Sequence, residues 1–342
     1  MPVNYFCKKT NINLATQQKH HFHSIDLLRG LAALTVAFYH YTDFFLAKTH
    51  PLSISFAHGY LGVEAFFVIS GMIVPYSLAQ KHYSIRQFGT QFVSRVIRIE
   101  PAYWASIILM LMKDASVWFI KADKWIELKP YNLFLHVFHA NAIMNEPWLR
   151  GIYWTLAIDW QFYLVVLTVF ALFNRPEWWI RYPIYALFAF GHWYFPYEWL
   201  PYHVASFGAG FVLFHYYRGY IDEKELAIVL PALLLMHCRG FDWRHCLATA
   251  IPCAIILFVN AEWKWAKFIG KTSYSFYLTH VVSGWLLLDG AAEIAKDNGL
   301  FMGTAVIVAV AFSLFFANYF YKWVEEPTLN WAKNWNKWAK KH

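Results

Sequence analysis

Long apolar runs, broken at intervals by short polar stretches, set the pattern of this chain. The runs predict helices, about ten of them spanning a membrane: 29–47, 59–79, 101–120, 152–173, 182–196, 200–217, 226–237, 246–259, 273–290 and 299–321. Several are shorter than the ~20 residues a straight span needs, so their ends must extend into the interface. The stretch "YNLFLHVFHANAIMN" (131–145) is apolar but short, and reads as a re-entrant or interfacial helix. The closing "NWAKNWNKWAKKH" sets Trp331, Trp335 and Trp338 at helical spacing with lysines between them. That pattern predicts an amphipathic helix on a membrane surface. The expectation is an all-α, polytopic transmembrane bundle. Residues 1–23 form a cytosolic N-terminal segment, 24–330 the transmembrane domain, and 331–342 a cytosolic tail.

Composition strengthens the membrane reading. Of 342 residues, 59% are hydrophobic and 15% charged, against about 25% charged in a soluble domain. The net charge of +8 raises the question of a nucleic-acid partner, but a membrane protein must first be tested for charge bias across the bilayer. With the N-terminus inside, twenty of the 29 Lys and Arg fall on cytosolic segments, and both termini are cytosolic. The surplus charge is thus topogenic and needs no nucleic acid. The first 23 residues carry Lys8, Lys9 and Lys19 and no apolar core, so the first hydrophobic helix is expected to serve as signal anchor. Cys7, Cys238, Cys246 and Cys253 form no CxxC pair and no zinc spacing, and read as core or lipid-facing residues.

Ionisable residues inside apolar runs are costly and are functional candidates by default. Arg29 and His40 lie eleven residues apart in "RGLAALTVAFYH". On a helix that is roughly 1100° of rotation and about 16 Å of rise, so both share one stripe. Asp26 and Arg29 are spaced to pair. Glu64 sits roughly 8 Å inside the second span, and Gly62, Ser70 and Gly71 allow close helix approach. Arg95 and Arg98 are i, i+3 neighbours before Pro101, which is suited to opening a helix. Two arginines on one face suit either a phosphate clamp or plain topogenic charge. Asp159 lies inside the fourth span, and Tyr277 and His280 lie one turn apart in the ninth. His136 and His139 have the spacing of a metal half-site but no HExxH pattern, so no metal is expected.

Six stretches in order resemble the acyltransferase-3 family of integral membrane acyltransferases. They are "SIDLLRGLAALTVAFYH" (24–40), "GYLGVEAFFVISGMI" (59–73), "FVSRVIRIEPAYW" (92–104), "WTLAIDWQFYL" (154–164), "FIGKTSYSFYLTH" (268–280) and "YKWVEEPTLNW" (321–331). The resemblance implies a membrane enzyme that moves an acyl group, acetyl first, from cytosolic acyl-coenzyme A to a hydroxyl of a cell-surface or lipid-linked glycan. Its arginine–ten residues–histidine motif falls on Arg29 and His40, the histidine being catalytic in the family. Its RxxR motif falls on Arg95 and Arg98 and is tied to the donor. The acidic position of its second-helix motif is Glu64, and the usual glutamate of its WSLxxE-like motif is Asp159 here, one methylene shorter. Val324, Glu325 and Pro327 match its V-E-x-P ending. No SGNH-hydrolase domain follows, so the chain is expected to finish the transfer or hand the acyl group to a separate protein.

The expected site therefore has His40, Asp159 and Glu64 in catalysis, with Arg29, Arg95, Arg98, Tyr277 and His280 toward the donor. His40 serves as general base or as acyl-bearing nucleophile, with Asp26, Asp159 or Glu64 as the acid that fixes its tautomer. His280 is expected nearer the cytosolic mouth than His40. No tightly bound cofactor is expected; acetyl-CoA or another acyl-CoA is the donor substrate. The other partners are the glycan or lipid-linked saccharide and membrane lipid, with a homo-oligomer and a downstream transferase both left open. The expected location is the bacterial inner membrane. The alternative is a transporter for an anionic or lipid-linked sugar substrate, which would also place acids, histidines and arginines in the membrane.

Overall fold

Nearly every apolar run becomes a helix, as backbone groups in a membrane must be satisfied within their own segment. The structure is a computed structural model that describes residues 22–121, 129–240, 242–260 and 262–339. In chain order the helices are α1 (His23–Phe45), α2 (Pro51–Phe56), α3 (Gly62–Gln80), α4 (Phe88–Lys121), α5 (Pro130–Val137), α6 (Trp154–Phe173) and α7 (Trp178–Phe190). There follow α8 (Leu200–Tyr217), α9 (Glu223–Gly240), α10 (Trp243–Phe258), α11 (Lys264–Lys271), α12 (Ser273–Ala295), α13 (Gly299–Phe320) and α14 (Glu326–Trp338). Of the terminal segments expected at 1–23 and 331–342, residues 1–21 and 340–342 lie outside the described residues.

Among the described residues, three helical stretches are long and apolar enough to cross a membrane by length and composition: Pro51–Gln80, Trp154–Phe173 and Gly299–Trp338. The expected ten spans are not reached by that measure. The physical reason is interruption: α7 has 13 residues and α10 has 16, while α1 and α4 carry charges within their apolar lengths. The outer faces nonetheless expose Ile108, Leu172, Leu235, Phe258, Ile307 and Phe315, an apolar surface that water solvates poorly.

Several expectations are corrected. Pro101 does not open a helix; it lies inside the 34-residue α4, which begins at Phe88 and carries Arg95 and Arg98 in its first half. Residues 131–145 are not one helix: α5 ends at Val137 and the chain continues in turns. The C-terminal helix does not only lie on a surface. It docks on α4, where Trp335 Nε1 donates to the Thr90 carbonyl (3.1 Å) and Asn336 Nδ2 to Ser94 Oγ (2.6 Å). Cys238 and Cys246 are joined in a disulfide between α9 and α10, which spacing without a CxxC motif did not indicate, while Cys253 is free and buried.

Close crossings fix the central helices. A Cβ on Gly71 would sit 2.0 Å from the Phe207 carbonyl oxygen, and one on Gly210 would sit 2.0 Å from the Val68 carbonyl oxygen. The two glycines therefore let the backbones of α3 and α8 touch reciprocally, the small-residue device of membrane helices. Between α13 and α14 the chain makes a π-turn over Tyr321–Glu325, which buries Glu325 in the protein. Because backbone cannot yield as a side chain can, Gly71→Val is expected to abolish the folded state: monodisperse elution in detergent should be lost. A well-folded Gly71→Val protein would show that the crossing is not required.

Candidate active site

A partly open cavity of ≈ 200 Å³ is lined by α1, α3, α4, α6, α12 and the π-turn. Along α3 its wall runs from Val63 to Val74, about 16 Å of helix rise. Arg29, Arg95, Arg98, Asp159, Tyr277 and Glu325 all line it. Six residues from five separate elements thus share one chamber, and five of them were expected at the site.

The charges in the cavity are unevenly paired. Arg95 Nη2 meets Asp159 Oδ2 at 2.8 Å, and its guanidinium lies 4.5 Å from the Tyr163 ring centroid. Glu325 Oε2 accepts from Ser275 Oγ at 2.6 Å. Arg29 and Arg98 make no hydrogen bond or ion pair among the described residues. Three guanidiniums thus share two carboxylates, Glu325 attracting both Arg29 and Arg98 without an ion pair, and the forks of these two keep donors that suit an anion.

The two histidines lie beside this cavity. Tyr274, Tyr277 and His280 follow one another along α12, and His280 packs on the ring of Tyr277 at 5.9 Å. His280 Nδ1 is 2.7 Å from the Tyr277 carbonyl oxygen, so Nδ1 must carry a proton and donate it. The Nε2 of a neutral His280 is then an acceptor. His40 Nδ1 lies 2.9 Å from it and donates. The chain of hydrogen bonds leaves His40 Nε2 with its lone pair and, among the described residues, no partner. Tyr41 pins the arrangement: its hydroxyl donates to the His280 carbonyl at 2.7 Å and meets Ser313 Oγ at 2.7 Å, which joins α1, α12 and α13. Gly284 makes room for the Tyr41 ring, which would stand 2.1 Å from a Cβ there.

This geometry revises the expected roles. Asp159 is not the acid on His40, since α6 turns its carboxylate to Arg95. Glu64 is not on His40 either. It is buried on the α8/α10 side of α3, where Ser206 Oγ donates to it at 2.5 Å and His245 Nδ1 lies at 3.2 Å. Ser206 continues to Thr249 at 2.9 Å and on to His237 at 3.3 Å. The Cys238–Cys246 bridge adjoins both of these histidines in sequence. Nor does His280 lie at a different depth from His40, as the two are hydrogen-bonded. The Tyr277 side chain is committed elsewhere, to Thr155 Oγ1 at 2.7 Å and the Ile152 carbonyl at 3.0 Å. What Tyr277 gives His280 is its backbone carbonyl.

Sequence reasoning placed neither Glu325 nor Tyr274 in the site. The only signal for Glu325 was "VEEP", which shows neither the π-turn nor the proximity to residues some 230 to 300 positions earlier. His136 and His139 do not act together: His136 binds the Asn132 carbonyl at 2.8 Å and the Leu149 amide at 3.0 Å. His139 Nε2 meets Glu100 at 3.0 Å, and Trp160 Nε1 donates to the same carboxylate at 2.6 Å.

Comparison with known proteins bears on the chemistry. The acyltransferase domain family, acyltransferase-3, matches residues 22–322. A protein of Acidianus two-tailed virus named "Putative acetyltransferase ORF330" is 24% identical over 92% of this chain and 96% of its own length. Peptidoglycan O-acetyltransferase OatA of Listeria monocytogenes is 28% identical over 47% of this chain and 25% of its own. A Staphylococcus aureus protein named "Putative O-acetyltransferase SACOL0978" is 27% identical over 41% and 23%. The chain thus spans nearly all of the viral relative and about a quarter of these two bacterial ones. No solved structure matches.

Pairing in a half-buried setting should be measurable at Arg95 and Asp159. Arg95→Ala and Asp159→Ala are each expected to lower stability, because each strands the partner's charge. The double variant should lose less than the sum, with a coupling of about 1–3 kcal/mol, read by thermal unfolding in detergent. Strictly additive losses would mean that the pair contributes nothing.

Proposed function

Because the chain belongs to the acyltransferase-3 family and is an O-acyltransferase, we propose that it carries an acyl group, acetyl first, from cytosolic acyl-coenzyme A to a hydroxyl of a saccharide across the membrane. The observation that carries this reading is the hydrogen-bonded chain from the Tyr277 carbonyl through His280 to His40, which leaves a basic nitrogen at the end of α1 away from the arginines.

The donor's phosphates bind Arg29 and Arg98, the two guanidiniums without partners. The cavity is smaller than the ~300–1,000 Å³ of ordinary ligand pockets, so the nucleotide stays outside and the acyl-bearing arm enters. Arg29 and His40 are about 16 Å apart along α1, as long as the cavity wall on α3, so an extended arm brings the thioester to the histidine pair. His40 Nε2 takes the proton of the acceptor hydroxyl as its oxygen bonds to the thioester carbonyl carbon. The carbon–sulfur bond breaks, and the leaving thiolate takes the proton back from His40. His280 stabilises the transient imidazolium through the Nδ1 hydrogen bond, in the place an acid holds in a serine-protease triad.

The charge bias of the loops supports a cytosolic side at the arginines and at both chain ends, in a cytoplasmic membrane. The disulfide Cys238–Cys246 supports the same orientation, since it falls on the side that the bias makes non-cytosolic, where thiols oxidise.

His40→Gln keeps size and polarity but cannot hold the proton. It is expected to reduce transfer by about 10²–10⁴-fold while coenzyme A binding and membrane insertion stay normal. His280→Gln should lose less, because it removes support rather than the base. Active His40→Gln protein at normal abundance would sink the mechanism.

Lysine lacks the planar fork, so Arg98→Lys is expected to weaken coenzyme A binding about tenfold in titration calorimetry, with expression unchanged. Unaltered affinity in both Arg98→Lys and Arg29→Lys would remove the phosphate assignment.

A further inference from the structure

Beyond His40, on the side away from the arginines, the last turns of α1 meet the short turn Gly59–Leu61. The ring of Tyr39 lies 5.4 Å from that of His40, and the ring of Tyr60 lies 5.3 Å from Tyr39 at 59°. His58 and His245 each stand 6.3 Å from Tyr60. Tyr39 and Tyr60 are half-buried, and neither hydroxyl has a hydrogen-bond partner among the described residues. Asp43, one turn past His40, is ion-paired with Lys48. The transfer mechanism uses none of these groups.

Tyrosines at a membrane interface are common enough to need no function. What separates Tyr60 from such a residue is how it is seated. A Cβ on Gly59 would stand 2.3 Å from the Thr35 carbonyl oxygen and 2.9 Å from Tyr39 Cβ. One on Gly62 would stand 2.6 Å from Thr35 Oγ1 and 2.7 Å from the Ala32 carbonyl oxygen. Glycine on both sides of Tyr60 lets the turn lie directly on α1, and this contact sets Tyr60 over Tyr39, one residue from the base.

We infer that Tyr39 and Tyr60 form the acceptor site, a platform on which a saccharide ring rests with one hydroxyl directed at His40. A sugar ring has an apolar C–H face and a rim of hydroxyls. Two tyrosines supply apolar faces and polar tips together. The charges nearby cancel in the Asp43–Lys48 pair, so the surface suits a neutral acceptor. An acyl-chain acceptor would have no use for the open hydroxyls. This inference rests on the reading of His40 as the group that takes the acceptor's proton. It adds where the acceptor sits, opposite the donor, so that each substrate reaches His40 from its own side.

The test compares acylation of surface saccharide, read by mass spectrometry on cells expressing each variant, with coenzyme A affinity of the purified full chain. Tyr60→Leu is expected to cut saccharide acylation by up to about tenfold, the scale of one lost aromatic contact, with coenzyme A affinity unchanged. Tyr60→Trp, which restores an aromatic face, should recover most of it and also shows that the turn still folds. Wild-type acylation in Tyr60→Leu would overturn the acceptor site, as would loss of coenzyme A binding in Tyr60→Leu and Tyr60→Trp alike. Acyl label recovered on lipid or protein with none on saccharide would overturn it as well. The two readings fail separately. Acylation that survives His40→Gln defeats the proposed mechanism; acylation that needs His40 but tolerates Tyr60→Leu defeats the platform alone.

Discussion

A charged or strongly polar side chain taken out of water must be paired, hydrogen-bonded or set against a polar chamber, and this constraint organises the protein around its cavity. Asp159 is satisfied by Arg95, Glu325 by Ser275, and Glu64 by Ser206 and His245. Arg29 and Arg98 are left over. Both line the cavity, where the Glu325 carboxylate attracts them without forming an ion pair.

The second requirement is that the histidine pair be held still. His40 and His280 come from helices 240 residues apart in sequence, and a hydrogen bond between them survives only if α1 and α12 cannot slide. Tyr41 supplies the lock by reaching the His280 carbonyl and Ser313 together, and Gly284 gives its ring room. The reciprocal contact of Gly71 and Gly210 does the same for α3 and α8, which hold the cavity wall and the Glu64 network. Rigid support of this kind suits electrostatic catalysis, which needs groups already aligned before reaction.

Glu64 takes a supporting place in this arrangement. Its carboxylate gathers α8, α9 and α10 through Ser206, Thr249, His237 and His245, and the disulfide closes the hairpin that carries both histidines. Tyr60, which His245 faces at 6.3 Å, links that network to the His40 side. Along α1, Arg29 thus lines the cavity toward the start of the helix, while Tyr39 stands beside His40 toward its end and meets Tyr60.

Sequence alone determined the helical class and the family, because apolar periodicity and six ordered motifs are local properties that survive without coordinates. It also determined that Arg29 and His40 share a stripe, since an eleven-residue separation fixes rotation on a helix. It did not determine which acid meets which base. Asp159, Glu64 and Asp26 were equal candidates for His40, and the partner is a histidine whose own proton goes to a backbone carbonyl. Nor did it show that the π-turn carries Glu325 to the arginines, that Cys238 meets Cys246, or that α14 docks on α4. Those are contacts between segments, set by the rotation and crossing of packed helices, and a rotation of a few tens of degrees would have given each side chain a different partner. Spacing fixes the face of a helix; only packing decides what that face meets.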